Sequence, residues 1–514
     1  MLSGLLWIPI VGATLLGFWP GSLTFQQTRR LGLVFATGLT VWTVFLFGQF
    51  DLTQGGLQMR EFMPWIPMLG MNYELGVDGL SLPLLAVNSG LTWIAIYGTG
   101  EKLIRPRLFY SLLLLVNGAV AGAFLAQNAL LFFLFYEIEL VPFYLLISIW
   151  GGPRRGYAAI KFLLYTAVSG ILMLAGFLGL FWLADLPSFD YQTLQSQVLP
   201  LGSQMVLLLT LLVAFGIKIP LVPFHTWLPD AYTEASAPVA MILGGVLAKL
   251  GTYGLVRFCL GFFPDAWSAL APNLSIWAVV CVLGGAFAAI AQKDIKRMVA
   301  YSSVGHMGYV LLGCAAATPL SIVGAIAQMV SHGFVLALLF HLVGVIEEKV
   351  GTRELDVLNG LLNPIRGLPM ISGLLILGGM ASAGIPGLVA FVAEFLVFQG
   401  SYSIFPLQTI LCVVGTGLTA VYFVILLNRT CFGKLDNKTA YYPQVMGWEQ
   451  TPAILLTLVI FILGVQPNWL VKWSEPFSYQ LSTHTPQLVS HWIPPVMGKK
   501  LENTPIMIAE DPLL

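Results

Sequence analysis

A few charged side chains fall inside otherwise apolar stretches, and their types are those of proton chemistry. Glu137 and Glu139 lie in "LFFLFYEIELVPFY", Lys218 in "GIKIPLVPF", Lys249 in "GGVLAKLGTYG" and Glu394 in "FVAEFLVFQG", with His306, His332 and His341 as polar company. A charge at the centre of a membrane helix costs about 2.5–3.5 kcal/mol on insertion scales, so each such residue is a functional candidate by default. Amines and carboxyls suit proton carriage because burial and a nearby opposite charge move their protonation equilibria in opposing directions. Glu137, Lys218, Lys249 and Glu394 are therefore read as functional. For a lone histidine such as His225 or His341, a hydrogen-bonded structural role serves as well as a relay. Glu139 lies two residues from Glu137, about 200° further round a helix. It is expected to face elsewhere, at a subunit contact.

The elements that must hold these groups are membrane helices. Of 514 residues, 57% are hydrophobic and 9% charged, against about 25% charged in soluble domains. Apolar windows long enough for a bilayer core of about 30 Å lie near 3–20, 31–50, 79–99, 108–127, 129–150, 157–184, 204–230, 236–262, 274–291, 298–315, 320–346, 369–400, 406–430 and 451–471. The reading is an all-α polytopic membrane protein of about fourteen transmembrane helices. The first window has no basic leader and no small-residue cleavage site, and is expected to be a retained helix.

Loop charge orients the chain. Sixteen Lys/Arg fall on the odd-numbered loops, five on the even loops and tails (Arg60, Arg257, Lys472, Lys499, Lys500), and three in helices (Lys161, Lys218, Lys249). By the positive-inside rule the odd loops face the cytoplasm and both termini face away from it. Zero formal net charge gives no bulk attraction for nucleic acid, and "QKDIKR" reads as an ordinary cytoplasmic loop. The five cysteines, at 259, 281, 314, 412 and 431, form no C-x-x-C and read as buried small hydrophobes. "GTGLTA" at 415–420 imitates a dinucleotide-binding pattern, but it sits in an apolar helix with no preceding strand. There is no Walker A, no H-E-x-x-H and no haem-ligand pattern.

Proline and glycine interrupt two windows in a similar way, in "GIKIPLVPF" at 216–224 and "AGIPGLVAF" at 383–391. Paired interruptions of this kind point to inverted repeats whose broken helices build an ion site near the midplane.

The stretches "EIELVPFYLLISIWGG", "KIPLVPFHTWLPDAYTEASAPVAMILGGVLAKLGTYGLVRF" and "DIKRMVAYSSVGHMGYV" resemble the antiporter-like proton-translocating subunits of respiratory complex I. The likeness is to the chain 4 (NuoM/NdhD) type in its cyanobacterial and plastid form. It implies two inverted five-helix repeats, 108–262 and 274–431, after N-terminal helices in 1–107 and before a last helix and tail in 451–514. It also implies roles. Glu137 is the glutamate of the fifth helix, Lys218 the broken-helix lysine, Lys249 the central lysine and Glu394 the exit glutamate. His306 and His332 join them in a polar axis.

The implied enzyme is an NAD(P)H- or ferredoxin-dependent plastoquinone oxidoreductase in the cyanobacterial thylakoid membrane, with the plasma and plastid membranes as less favoured settings. Its quinone and iron–sulfur clusters would sit on partner subunits, with no cofactor on this chain. Its partners would be other membrane-arm subunits, a second antiporter-like chain and the lipid bilayer, with no nucleic acid. Tyr232, in "LPDAYTEA", stands where the family usually has histidine. That departure leans the resemblance toward the paralogues of carbon dioxide uptake complexes, with a carbon dioxide hydrating subunit as a further partner. The rival readings are an Mrp-type sodium/proton antiporter subunit and a non-pumping scaffold.

Overall fold

The computed structural model describes residues 1–195, 199–435 and 442–484. Lys438, Lys499 and Lys500, used above for orientation, lie outside them. Each apolar window falls on a helix or an interrupted pair of helices, because a helix satisfies its own backbone groups where no water can do so. In chain order these are α1 Ser3–Phe18, α2 Phe25–Gln49, α3 Ser81–Tyr97, α4 Pro106–Leu125, α5 Ala129–Trp150, α6 Arg155–Leu183 and α7 Leu201–Lys218. After a break at 219–223 comes the short α8 Trp227–Glu234. Next are α9 Ala237–Leu260, α10 Pro264–Ile290, α11 Ile295–Ala316 and α12 Pro319–Val350. The second interrupted span is α13 Pro369–Ser382 with α14 Val389–Tyr402, followed by α15 Pro406–Thr430 and α16 Gly447–Val465. A shorter α17, Glu475–His484, follows the last span.

Two differences from the sequence reading have clear causes. The chain is not purely helical: β1 Gln58–Ile66 and β2 Met71–Val77 form an antiparallel hairpin between α2 and α3. Gly70, at φ +61°, makes the tight turn that a side chain would strain. Arg60 pairs with Glu74 across the hairpin. Burial pushes the Glu74 carboxyl above its ordinary range, against the pull of Arg60. The second difference is α10, which starts at Pro264 and not near 274. Pro264 occupies the first turn, where its missing N–H costs nothing.

The alternation of the connections is visible in two cavities. One of about 510 Å³ is lined by Lys102, Arg155, Glu234, Lys296, Arg353 and Trp448, all from odd-numbered connections or the helix ends beside them. Another of about 160 Å³ is lined by Gly55, Asp78, Gln127, Tyr191, Arg257 and Phe477, all from even-numbered connections, adjacent helix ends or the C-terminal segment. The two sets of connections therefore gather at separate places. A tag inserted at Gly152 should be reached by a membrane-impermeant label from the cytoplasmic side, and one at Leu514 only from the other. Opposite accessibility would reverse the orientation.

Small residues bring the helices that matter into close contact, as expected where lipid gives no hydrophobic drive between helices. A methyl on Gly285 of α10 would lie 2.5 Å from the Gly305 nitrogen of α11. A methyl on Gly324 of α12 would collide with the Val397 nitrogen of α14. A methyl on Gly313 of α11 would lie 2.7 Å from the Ser321 carbonyl oxygen of α12, so the helices carrying His306, His332 and Glu394 are set against one another.

Candidate functional site

The break after Lys218 is built by Pro220 and Pro223, which remove backbone donors and end α7. The carbonyls left over are capped by indoles: Trp227 Nε1 donates to Ile217 O at 2.8 Å, and Trp277 Nε1 to Val222 O at 2.5 Å. Lys218 itself is fully buried. Its ammonium is ion-paired with Glu139 and lies 4.2 Å from the Tyr136 ring centroid. Tyr136 OH meets Ser169 Oγ at 2.9 Å, and Ser169 donates to Ala214 O at 2.8 Å. The ring that faces the lysine is thereby fixed.

This corrects the assignment of the two glutamates. Their divergence round α5 is real, but Glu139 is the inward one, fully buried, while Glu137 is half-buried. Glu137 packs at Gly170 of α6, where a methyl would collide with Oε1, and that oxygen has no hydrogen-bond partner. The ion pair of Lys218 is thus made with Glu139 and not with Glu137, the glutamate that the resemblance assigns to the fifth helix. Helical spacing fixes the angle between two side chains but not which of them faces the bundle.

Lys249 sits on α9 between two π-helical stretches, Leu243–Leu247 and Leu255–Leu260. Such wide turns free backbone groups and recur at functional sites. Here Lys249 Nζ donates to Gly244 O at 2.6 Å and meets His332 Nδ1 at 2.7 Å. Gly251 lets α9 approach the break: a methyl there would be 2.8 Å from Ile219 Cγ1 and 3.2 Å from Lys218 Cβ. Among the described residues, no hydrogen-bonded side chain joins Lys218 to Lys249.

From Lys249 onward the polar groups run in sequence. The His332 and His306 ring centroids are 5.6 Å apart. His306 Nε2 meets Ser382 Oγ at 3.0 Å, and its Nδ1 lies 3.5 Å from Glu394 Oε1. Thr416 Oγ1 donates to Glu394 Oε2 at 3.1 Å and is 3.0 Å from Tyr309 OH. A cavity of about 10 Å³ lies among Ser302, His306, Gln328, Ser331, His332 and Ser382. His332 Nε2, Ser331 Oγ and Gln328 Oε1 have no protein partner. A polar void of about that size holds one water. Glu394 is placed by the second break, where Gly384, at φ +69°, brings its Cα beside the carboxylate.

Thus Lys249, His332, His306 and Glu394 come together as one line, and Lys218 stands on a helix touching it. Glu137 stays at the flank. Ser382, Gln328, Thr416 and Tyr309 were not singled out in the sequence, although Ser, Thr or Gln in an apolar helix is the available signal. His341 bonds the Glu449 carbonyl at 2.7 Å, away from this line. Lys161 pairs with Asp230 at 2.7 Å. Among the described residues, no three His, Cys, Asp or Glu gather as a metal site, and the five cysteines are free and buried.

Residues 126–419 match the family described as NADH:quinone oxidoreductase/Mrp antiporter, transmembrane. The chain belongs to that family. It is 43% identical to a Synechococcus sp. protein named NAD(P)H-quinone oxidoreductase chain 4 1, over 82% of this chain and 81% of the relative. A Nostoc sp. protein of the same name is 38% identical over 97% and 93%. Among solved structures, a chain of respiratory complex I from Thermus thermophilus with bound NADH superposes with TM-score 0.84 at 28% identity, covering 94% of this chain and 99% of that one. A chain of the Mrp complex from Dietzia sp. also gives 0.84, at 21% identity, over 95% and 99%. That second likeness concerns the fold alone. The family's matched segment contains every residue of the line described above.

Proposed function

We propose that the chain is a proton-translocating membrane-arm subunit of a quinone-reducing complex of the complex I kind. The observation that carries this reading is the polar line from Lys249 through His332 and His306 to Glu394 inside apolar helices. A histidine takes a proton on one ring nitrogen and releases it from the other, and His332 offers Nδ1 to Lys249 while Nε2 faces the water-sized void. The relay begins with Glu137 and Lys218, passes to Lys249 and ends at Glu394. Its first step crosses a close helix contact with no bridging side chain among the described residues, and we assign that step to a water.

The energies are of the right order. Moving one charge against 100 mV costs about 2.3 kcal/mol. Breaking a buried ion pair costs about 3–5 kcal/mol, so opening and closing the pair at Lys218 can drive one such step. The two broken spans support the repeats over 108–262 and 274–431, and the names of the relatives support the quinone oxidoreductase. Membrane-arm partners are its setting, and the cyanobacterial relatives fit a thylakoid or plasma membrane, of which we assign the thylakoid. Plastoquinone and the iron–sulfur clusters belong to partner subunits in this reading. The carbon dioxide uptake form rests on Tyr232, whose hydroxyl donates to Leu243 O at 2.9 Å in place of an imidazole.

The test is redox-driven acidification of vesicles carrying the purified complex, with and without sodium. Acidification that needs quinone reduction and persists without sodium supports the proposal. Sodium-dependent exchange in the absence of redox turnover would instead assign an antiporter.

A further inference from the structure

We propose that Arg257 is a proton block, which keeps Lys249 from exchanging protons with the cavity of about 160 Å³ on the face of the even-numbered connections. The inference rests on the relay reading of Lys249 above and on the orientation set by loop charge, which turns that face away from the cytoplasm. The cavity has a polar lining that includes Asp78, Gln127, Tyr191 and Arg257. Tyr191 is buried and its hydroxyl has no hydrogen-bond partner, and a polar void of this size holds several waters. Arg257 stands eight residues beyond Lys249 on α9, about 12 Å along the helix axis. A wet cavity so near a proton carrier needs a barrier.

The guanidinium is held in place. It is ion-paired with Asp78, whose other oxygen accepts from the Leu80 and Ser81 amides at 3.1 and 3.0 Å. It lies 5.2 Å from the ring centroid of Tyr253 and 5.2 Å from that of Phe477 on α17. Arg257 Nε donates to Tyr253 OH at 3.3 Å, and that hydroxyl donates to Phe124 O at 3.3 Å. The Tyr253 ring packs against Phe124 and Phe132, with centroids 5.3 and 5.8 Å away. Tyr253 is one turn from Lys249, so its hydroxyl is the natural next link of any proton path between the cavity and the lysine. A side chain in such a path must accept a proton on one side and release one on the other, as histidine does. Guanidinium has five N–H donors and no acceptor, and it keeps its proton. The Tyr253 proton, for its part, is committed to the Phe124 carbonyl. Asp78 balances the buried cation, so the block leaves no unpaired charge.

The experiment imposes a pH gradient on vesicles carrying the assembled complex, without redox turnover, and follows its decay. Arg257→His keeps a flat side chain that can pair with Asp78 but can also pass a proton from one ring nitrogen to the other, so decay should quicken about tenfold or more. Adding Lys249→Met should return the decay to the wild-type rate, because the leak runs to that amine; a leak from loosened packing would persist. Two charge-balanced variants repeat the test in case the histidine variant assembles poorly. Asp78→Asn with Arg257→Ser admits water to the same place and should leak, whereas Asp78→Asn with Arg257→Met fills it with a side chain that carries no proton and should stay tight. Wild-type decay in the histidine and serine variants, a leak that survives Lys249→Met, or an equal leak in the methionine variant overturns the proposal. Redox-driven acidification by the wild-type complex is scored in the same vesicles, so failure of the relay reading is seen apart from failure of the block.

Discussion

Lys218→Arg should give a correctly assembled complex that translocates few protons. Arginine keeps the positive charge and can still pair with Glu139, and its planar group can lie against the Tyr136 ring that now sits 4.2 Å from the ammonium. A purely structural cation would therefore tolerate the exchange. Guanidinium, however, does not release its proton in proteins, its pKa being above about 12. A relay needs a neutral amine at position 218 when the proton moves on to Lys249. The expected fall in translocation in reconstituted vesicles is about tenfold or more, which corresponds to about 1.4 kcal/mol on the barrier. Quinone reduction measured in the same vesicles reports that the complex is intact. Translocation at the wild-type level would move Lys218 from relay to scaffold.

Lys249→Met should have an effect at least as large. Methionine is unbranched and fills irregular apolar space, so α9 should keep its packing against α12, where Gly333 brings the two helices together. Gly244 O and His332 Nδ1 would lose the donor they share. A buried carbonyl or imidazole left without its partner costs about 1–3 kcal/mol, so the complex should assemble with a modestly lower unfolding midpoint. The proton line would lose the group that delivers to His332. Translocation should fall by about two orders of magnitude, since neither methionine nor the freed Gly244 carbonyl can carry a proton. Persisting translocation would show that the proton reaches His332 by another path.

How much of this was legible in the sequence follows from the physics of each feature. Bilayer-length apolar windows identify the spans because an apolar helix of that length has no competing stable state in lipid. Charges inside those windows identify Lys218, Lys249, Glu137 and Glu394 as candidates because burying them is costly. The pairing of two proline–glycine interruptions locates both broken spans. None of these depends on knowing how the helices pack.

The hairpin at 58–77 was not legible, since alternation in "QMREFMPWI" is weak and a polar connection gives no hydropathy signal. Nor was the line of hydrogen bonds. Ser382, Gln328 and Thr416 reach His306 and Glu394 because separate helices lie at close distance, as where Gly313 meets Ser321 and Gly324 meets Val397. The choice between Glu137 and Glu139 was likewise decided by tertiary structure. A helix fixes the angle between their side chains, whereas the seat of Lys218 depends on how α5 is rotated against α7, and that rotation is set by packing among Tyr136, Ser169 and Ala214. The sequence determined which residues carry the charge; helix rotation and helix contact decided which of them meet.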